Sequence, residues 1–404
     1  MAKILISSLG TGRKQEGSYS KAKYQIDNSK SYETTFIADA LNQHLNFDKI
    51  FLVGTKKSIW DEAYMAFGGE DEEYIEELFE QKEKGDVDEK FLQKFKETTS
   101  FGLEPIIVKY GLDNDELWDN FTEFLNISKQ IKDEDELYLD ITHSFRSLSL
   151  MSFVMTQFAH TISDKKFKIK GVYYGMFEYQ DENDGITPIV DISILFEMQE
   201  WIKAIDAIKN YSDFNPLVRL LDDNEIEKEV KNTFINLNNT ISLANILSIR
   251  QFLQGASKKI KSIKKSENKI IQLLAPQILQ LVEDLDKDIE SDFQYTLAKW
   301  FYKNKNYALS YIALYEAIIT KSCELSNYDI TDHNLREDAK KSIGDDRYGK
   351  YFYTKYDDSI SVIRNAIVHQ SYHEVKSRKE LVASDIKKLK NFINNFENYF
   401  QIRK

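Results

Sequence analysis

Glu136-Leu137-Tyr138-Leu139-Asp140-Ile141-Thr142-His143-Ser144-Phe145-Arg146-Ser147-Leu148 is the stretch that decides the fold. It opens as a short apolar run, Glu136–Ile141, which reads as a strand. A helical pattern over Phe145–Ile162 starts a few residues later. The same alternation fills the first half of the chain. Apolar runs occur at Lys3–Leu9, Lys49–Val53, Pro105–Tyr110, Lys168–Tyr174 and Ile186–Ile192. Helical patterns lie between them at Tyr32–Leu45, Asp71–Lys84, Glu89–Thr98 and Asp113–Ile131. Strands joined by helical crossovers imply a mainly parallel sheet covered on both faces.

Three of the strand-like runs end in glycine or small polar residues: Ser7-Ser8-Leu9-Gly10-Thr11-Gly12, Val53-Gly54-Thr55 and Asp140-Ile141-Thr142-His143-Ser144. In open sheets of this kind ligands sit outside the carboxyl ends of the strands. Residues 1–196 therefore read as a ligand-binding α/β domain. From about Glu197 the strand signal stops, and residues 197–404 read as all-α. Long amphipathic patterns cover Glu200–Asn210, Glu225–Leu253, Asn268–Ile289, Tyr307–Leu325, Asp357–Gln370 and Ser384–Phe400. Pro216 and Asn238-Asn239 are expected to mark turns.

At 404 residues the chain is too long for one core, and 42% hydrophobic residues suffice for two. No apolar run approaches the roughly 20 residues that span a bilayer. The N-terminus enters a strand without the apolar core of a signal peptide, so a cytoplasmic location and no membrane partner are expected. One cysteine, Cys323, excludes an intrachain disulfide framework and a cysteine-based zinc site; no metal is expected. A net charge of −12 argues against broad duplex binding, which needs a basic face, so no DNA partner is expected. The run Lys258-Lys259-Ile260-Lys261-Ser262-Ile263-Lys264-Lys265 reads first as a solvated helix face.

The Gly10-Thr11-Gly12 loop meets neither nucleotide signature. Arg13-Lys14-Gln15 follows Gly12, where a Walker loop needs Gly-Lys and then Ser or Thr. A dinucleotide fingerprint needs a third glycine where Gln15 stands. The loop fits a plain turn or a main-chain cradle for a polyanion, with Arg13 beside it. In the second loop, Thr142 or Ser144 can cap the helix that follows. Capping leaves His143 and Arg146 unexplained. Hydroxyls, an imidazole and a guanidinium at a helix start make an anion site that can also read a base or a ribose. No Gly-x-Ser-x-Gly elbow accompanies the His-Ser pair.

Near the other end stands Arg364-Asn365-Ala366-Ile367-Val368-His369. A permanent cation and a titratable imidazole are the groups that RNA cleavage by 2′-hydroxyl attack needs. A structural alternative stays open: Arg364 pairs with Asp357 or Asp358 on the same helix and His369 is a buried structural histidine. His373 reads as a bystander.

Leu137–Leu148 strongly resembles the signature loop of CARF domains, the Rossmann-like sensor domains of type III CRISPR ancillary proteins. Ile4-Leu5-Ile6-Ser7-Ser8-Leu9-Gly10-Thr11-Gly12 resembles the first strand and loop of the same domain. Arg364-Asn365 with His369 is similar to the Arg-x(4–6)-His motif of HEPN ribonucleases. Ala308–Ala317 looks like an early helix of those helical domains. The resemblance implies a homodimeric, possibly higher-oligomeric, CRISPR-associated endoribonuclease that cleaves single-stranded RNA without a metal. It also implies activation by cyclic oligoadenylate, with the tetra-adenylate ring favoured and the hexa-adenylate ring second, and no other cofactor. The activator-binding residues implied are Ser8, Gly10, Thr11, Gly12, Arg13, Thr142, His143, Ser144 and Arg146; the catalytic ones are Arg364, Asn365 and His369. On one ideal helix, residues five apart point about 140° from one another. Two antiparallel copies pooling two Arg and two His answer that geometry. Two further readings are a non-catalytic nucleotide-sensing module and a sensor that degrades its own activator.

Overall fold

A computed structural model describes residues 1–12, 14–15, 18–27, 30–99, 102–142, 146–162, 167–223, 228–263, 269–345, 352, 359–369 and 383–402. The chain divides into two compact units, Met1–Glu197 and Met198–Lys404.

The first unit runs β1 (Lys3–Leu9), β2 (Lys14–Gln15), β3 (Ser18–Tyr19), β4 (Ala22–Ile26), β5 (Ser31–Thr34), α1 (Ile37–Leu45), β6 (Lys49–Gly54), α2 (Trp60–Ala66), α3 (Glu72–Lys84), α4 (Glu89–Thr98), β7 (Leu103–Ile107), α5 (Asn114–Gln130), β8 (Glu136–Asp140), α6 (Arg146–Ile162), β9 (Lys168–Gly175), a 3-10 turn (Phe177–Glu182) and β10 (Ile186–Asp191). Eight strands form one sheet in the order β5-β4-β10-β9-β8-β1-β6-β7. Pairing is parallel from β9 through β8, β1 and β6 to β7, and again between β10 and β4. The β9–β10 and β4–β5 pairs are antiparallel. The fold is thus a mainly parallel α/β domain followed by helices.

The period of two along β1 explains how the sheet is covered. Leu5 and Leu9 join Leu52 in a core with Ile37, Leu41, Trp60 and Tyr64 of α1 and α2. Ile4 and Ile6 join Phe51 and Val53 in the opposite core, against Phe124 and Ile127 of α5 and Leu148 of α6. A strand buried on both faces is mostly apolar, which is why β1, β6 and β8 read as short hydrophobic runs, with polar residues only near their ends. Asp71, Asp88 and Asp113 each accept a backbone N–H at the start of α3, α4 and α5, caps worth about 1 kcal/mol apiece.

Two expectations need correction here. The helix expected from Tyr32 begins at Ile37, because Ser31–Thr34 pairs antiparallel with β4. The strand expected over Pro105–Tyr110 is shifted to Leu103–Ile107, at the sheet edge, where a proline costs little.

The second unit is helical in all its described elements: most of α7 (Ile194–Tyr211), then α8 (Asn215–Asp223), α9 (Lys228–Ser242), α10 (Ile246–Ile263), α11 (Lys269–Leu285), α12 (Glu290–Lys303), α13 (Tyr307–Leu325), α14 (His333–Asp345), α15 (Ile360–His369) and α16 (Ala383–Ile402). The single helix expected over Glu225–Leu253 is two, broken at residues 243–245 with Ala244 left-handed at φ 55°. Asn238-Asn239 lies within α9 rather than at a turn. Asn238 is buried, and its side-chain oxygen accepts the Phe214 N–H at 2.9 Å, so its polarity serves a helix junction. Pro216 stands in the first turn of α8, where its missing N–H costs no helical bond.

Candidate functional site

The carboxyl ends of β1, β6, β8 and β9 surround a cleft of about 310 Å³. It lies where the chain, having run from β1 out to β6 and β7, returns to the other side of β1 as β8. That is the switch point at which open α/β sheets hold ligands. Gly10, Thr11 and Gly12 line it from the β1 loop, Gly54 and Thr55 from the β6 loop, and Thr142 from the β8 loop. Tyr24, Tyr174, Phe177 and Glu178 line it as well.

Side chains behind the cleft fix these loops. Ser58 Oγ donates to the Leu9 carbonyl at 2.6 Å and accepts the Thr55 N–H at 2.9 Å. The Ile59 N–H donates to the Gly10 carbonyl at 2.9 Å. Gly12 has φ 70°, and a Cβ there would meet Tyr19 at 2.6 Å, so both conformation and space demand glycine. Tyr19 is held in turn by Lys82, whose ammonium touches its hydroxyl and pairs with Asp61 at 2.9 Å. Lys82 and Asp61 are both buried.

Asp140 anchors the β8 loop. It accepts Ser7 Oγ at 2.5 Å and the Thr142 N–H at 2.9 Å. The Thr142 hydroxyl accepts the Gly175 N–H at 2.8 Å, joining the ends of β8 and β9. Burial pushes the Asp140 carboxyl up to about 6, although the bonds from Ser7 and Thr142 pull the other way. Burial and the Asp140 charge hold the Tyr24 hydroxyl above its ordinary range.

Of the residues expected to bind an activator, Gly10, Thr11, Gly12 and Thr142 come together in the cleft. Ser8 is buried and is not among the residues that line it, although its register partner Val53 is. Arg13, His143 and Ser144 lie outside the described residues, as does the side chain of Arg146, which opens α6. Ser58, Tyr24, Tyr174, Phe177 and Glu178 escaped the sequence reading. The small residues Val53-Gly54-Thr55 were a visible signal for the β6 loop; Tyr174 and Glu178 carried none.

At the helical end, Arg364, Asn365 and His369 all lie on α15. The Arg364 guanidinium sits over the Tyr315 ring at 5.1 Å. Its Nη1 donates to Asn365 Oδ1 at 3.2 Å, and its Nη2 is 3.9 Å from Glu316 Oε1. Its Nε is buried without a hydrogen-bond partner. Asn365 is exposed, and the side chains of His369 and His373 lie outside the described residues, as do Asp357 and Asp358. Among the described residues, the carboxylate beside Arg364 is Glu316, from α13. Lys259 and Lys261 in the basic run pair with Glu229 and Glu283, as a solvated packing face would. Among the described residues no group of His, Cys, Asp or Glu could hold a metal ion. No described helix is long and apolar enough to cross a membrane.

Fold and cleft define an α/β domain with a cleft at the carboxyl ends of its parallel strands. Residues 4–178 match the family model of the CRISPR system endoribonuclease Csx1, CARF domain. Residues 197–292 match that of the CRISPR-associated protein MJ1674, second domain. The chain is 32% identical over 353 residues to CRISPR-associated protein MJ1674 of Methanocaldococcus jannaschii, covering 81% of this chain and 55% of that protein. The chain thus spans about half the length of the curated relative it matches. The structure of Enterococcus italicus Csm6 bound to cyclic hexa-2′-fluoro-hexa-dAMP aligns with 99% of this chain and 98% of its own, at a TM-score of 0.39 and 13% identity. That likeness is too slight to bear on this chain. The first unit is similar to a Csx1-type CARF domain, and the chain is related to a CRISPR-associated protein.

Proposed function

We propose that this chain is a CRISPR-associated endoribonuclease of HEPN type, switched on by cyclic oligoadenylate and acting on single-stranded RNA. The observation that carries the reading is the cleft: Gly10, Thr11, Gly12 and Thr142 converge at the strand ends of a domain similar to CARF. Backbone N–H groups and a hydroxyl suit phosphates and riboses. Tyr174 and Phe177 supply aromatic surface for adenines. A ring of identical adenylates suits a two-fold site in which each copy binds half.

At α15, His369 takes the proton of the attacking 2′-hydroxyl, and the second copy's imidazole returns one to the departing 5′-oxygen. Arg364 stabilises the charge on the pentacoordinate phosphorus. Products end in a 2′,3′-cyclic phosphate and a 5′-hydroxyl, and DNA, lacking the nucleophile, is left intact. Labelled RNA incubated in EDTA with and without cyclic tetra- or hexa-adenylate tests this. Cleavage confined to an activator lane is the expected result.

Homodimer formation is part of the same proposal, and α6 supports it. Over its 17 residues α6 holds no Asp, Glu or Lys. Leu150, Val154, Phe158 and Ile162, four residues apart, stand 67%, 45%, 41% and 54% exposed. Phe158 continues the stripe onto Phe121 and Trp118 of α5. Such an apolar stripe fits its own two-fold copy. Phe158→Glu is expected to convert the dimer to monomer in light scattering at micromolar protein; an unchanged mass would remove α6 from the interface.

The pairing of Arg364 with Glu316 favours a second reading, in which Arg364 is structural and the chain a non-catalytic sensor. Arg364→Ala separates the two: activated cleavage is lost in the first, and only stability changes in the second.

A further inference from the structure

Glu316 sits between two arginines. Its Oε2 accepts Arg336 Nη2 at 2.6 Å, while its Oε1 lies 3.9 Å from Arg364 Nη2. Arg336 also donates to Thr320 Oγ1 and to the Ile330 carbonyl, both at 3.1 Å, so two bonds fix it to α13 and a third to the segment before α14. The two contacts of Glu316 are therefore unequal. One oxygen is committed to a short charge-assisted bond, and the other makes a loose ion pair.

Charge arithmetic gives this asymmetry a purpose. Two guanidinium groups and one carboxylate leave the cluster with one net positive charge. Because Arg336 takes the carboxylate, that charge stays on Arg364, the group that stacks on Tyr315 and stands 24% exposed. Without Arg336, the cation that the described residues leave beside Glu316 is Arg364, and a bidentate Arg–Glu pair would neutralise it. Tyr315 and Glu316 are neighbours on α13, so one helix supplies both the platform for Arg364 and the carboxylate beside it.

We infer that Arg336 is a positioning residue for the RNA site. By engaging Glu316 it keeps the Arg364 guanidinium oriented but unneutralised, free to take a phosphate of single-stranded RNA. The inference rests on the proposed ribonuclease reading and names the device that keeps its cation available. Arg336 itself touches no substrate.

Rescue tests it. Full-length protein is titrated with a fluorescent, fully 2′-O-methylated single-stranded RNA, which cannot be cleaved, and activated cleavage of an unmodified RNA is followed in parallel. Arg336→Met is expected to weaken both binding and cleavage by about tenfold, as for coupled charges in one network. Arg336→Lys, which keeps the charge, should lose less. The double variant Arg336→Met/Glu316→Gln removes the competing carboxylate and should recover most of the loss, whereas a defect of folding would be deepened or unchanged. Arg336→Met equal to the wild type, or a double variant no better than Arg336→Met, overturns the inference while leaving the ribonuclease reading in place. The rescue pattern in binding with no cleavage in any lane overturns catalysis and upholds the cluster's role. Wild-type protein that neither binds nor cleaves RNA overturns both.

Discussion

Replacing His369 with Ala is expected to lower activator-dependent RNA cleavage by about two to four orders of magnitude, the range that a positioned acid–base group contributes. Transesterification by a 2′-hydroxyl moves one proton at the nucleophile and one at the leaving group, and α15 ends on an imidazole, a group that can both accept and donate a proton. Arg364, on the same helix, has no proton to give. Activator binding, assigned to the first unit, should be unchanged in His369→Ala by calorimetry. A variant that cleaves at the wild-type rate would remove His369 from the mechanism.

The second large effect concerns Asp140 and pH. Its carboxyl is buried, and its value of about 6 lies above the 3.8 of a free aspartate. The folded protein therefore holds a proton that the unfolded chain has already lost, so this group's contribution is full below about pH 4 and disappears as pH rises through 6. The difference is worth about 3 kcal/mol. Urea unfolding at pH 4, 5, 6 and 7 should show wild-type stability declining relative to Asp140→Asn by that order. Parallel curves for the two proteins would place the ionised carboxylate in a more polar setting than its contacts with Ser7 and Thr142 imply.

How much was legible in the sequence depends on where each signal sits. β1, β6 and β8 could be read because a strand buried on both faces leaves no room for polar interruption: Ile4-Leu5-Ile6 and Ile50-Phe51-Leu52-Val53 are such runs. β4 and β5 could not. Tyr24 and Tyr32 alternate with polar residues over only a few positions, and the Ser31–Thr34 strand runs almost directly into the pattern of α1. Asn238 looked like turn chemistry because its partner, the Phe214 N–H, lies across a helix junction that local pattern does not reveal.

The candidate sites divide in the same way. Gly10, Thr11, Gly12 and Thr142 were marked by small residues following apolar runs, a local signature of a switch-point cleft. Ser8, beside them in the sequence, is buried rather than lining the cleft. Glu316 was invisible as a partner of Arg364, and Arg336 as a partner of Glu316. They stand on α13 and α14, and only tertiary packing brings them to α15.

The measurement that tests the central claim most directly is cleavage of an end-labelled single-stranded RNA in EDTA, with cyclic tetra-adenylate, cyclic hexa-adenylate or neither. The account predicts RNA intact without a ring, and cut with one of them to fragments bearing a 2′,3′-cyclic phosphate. RNA left intact in all three lanes, or cut equally in all three, would contradict it.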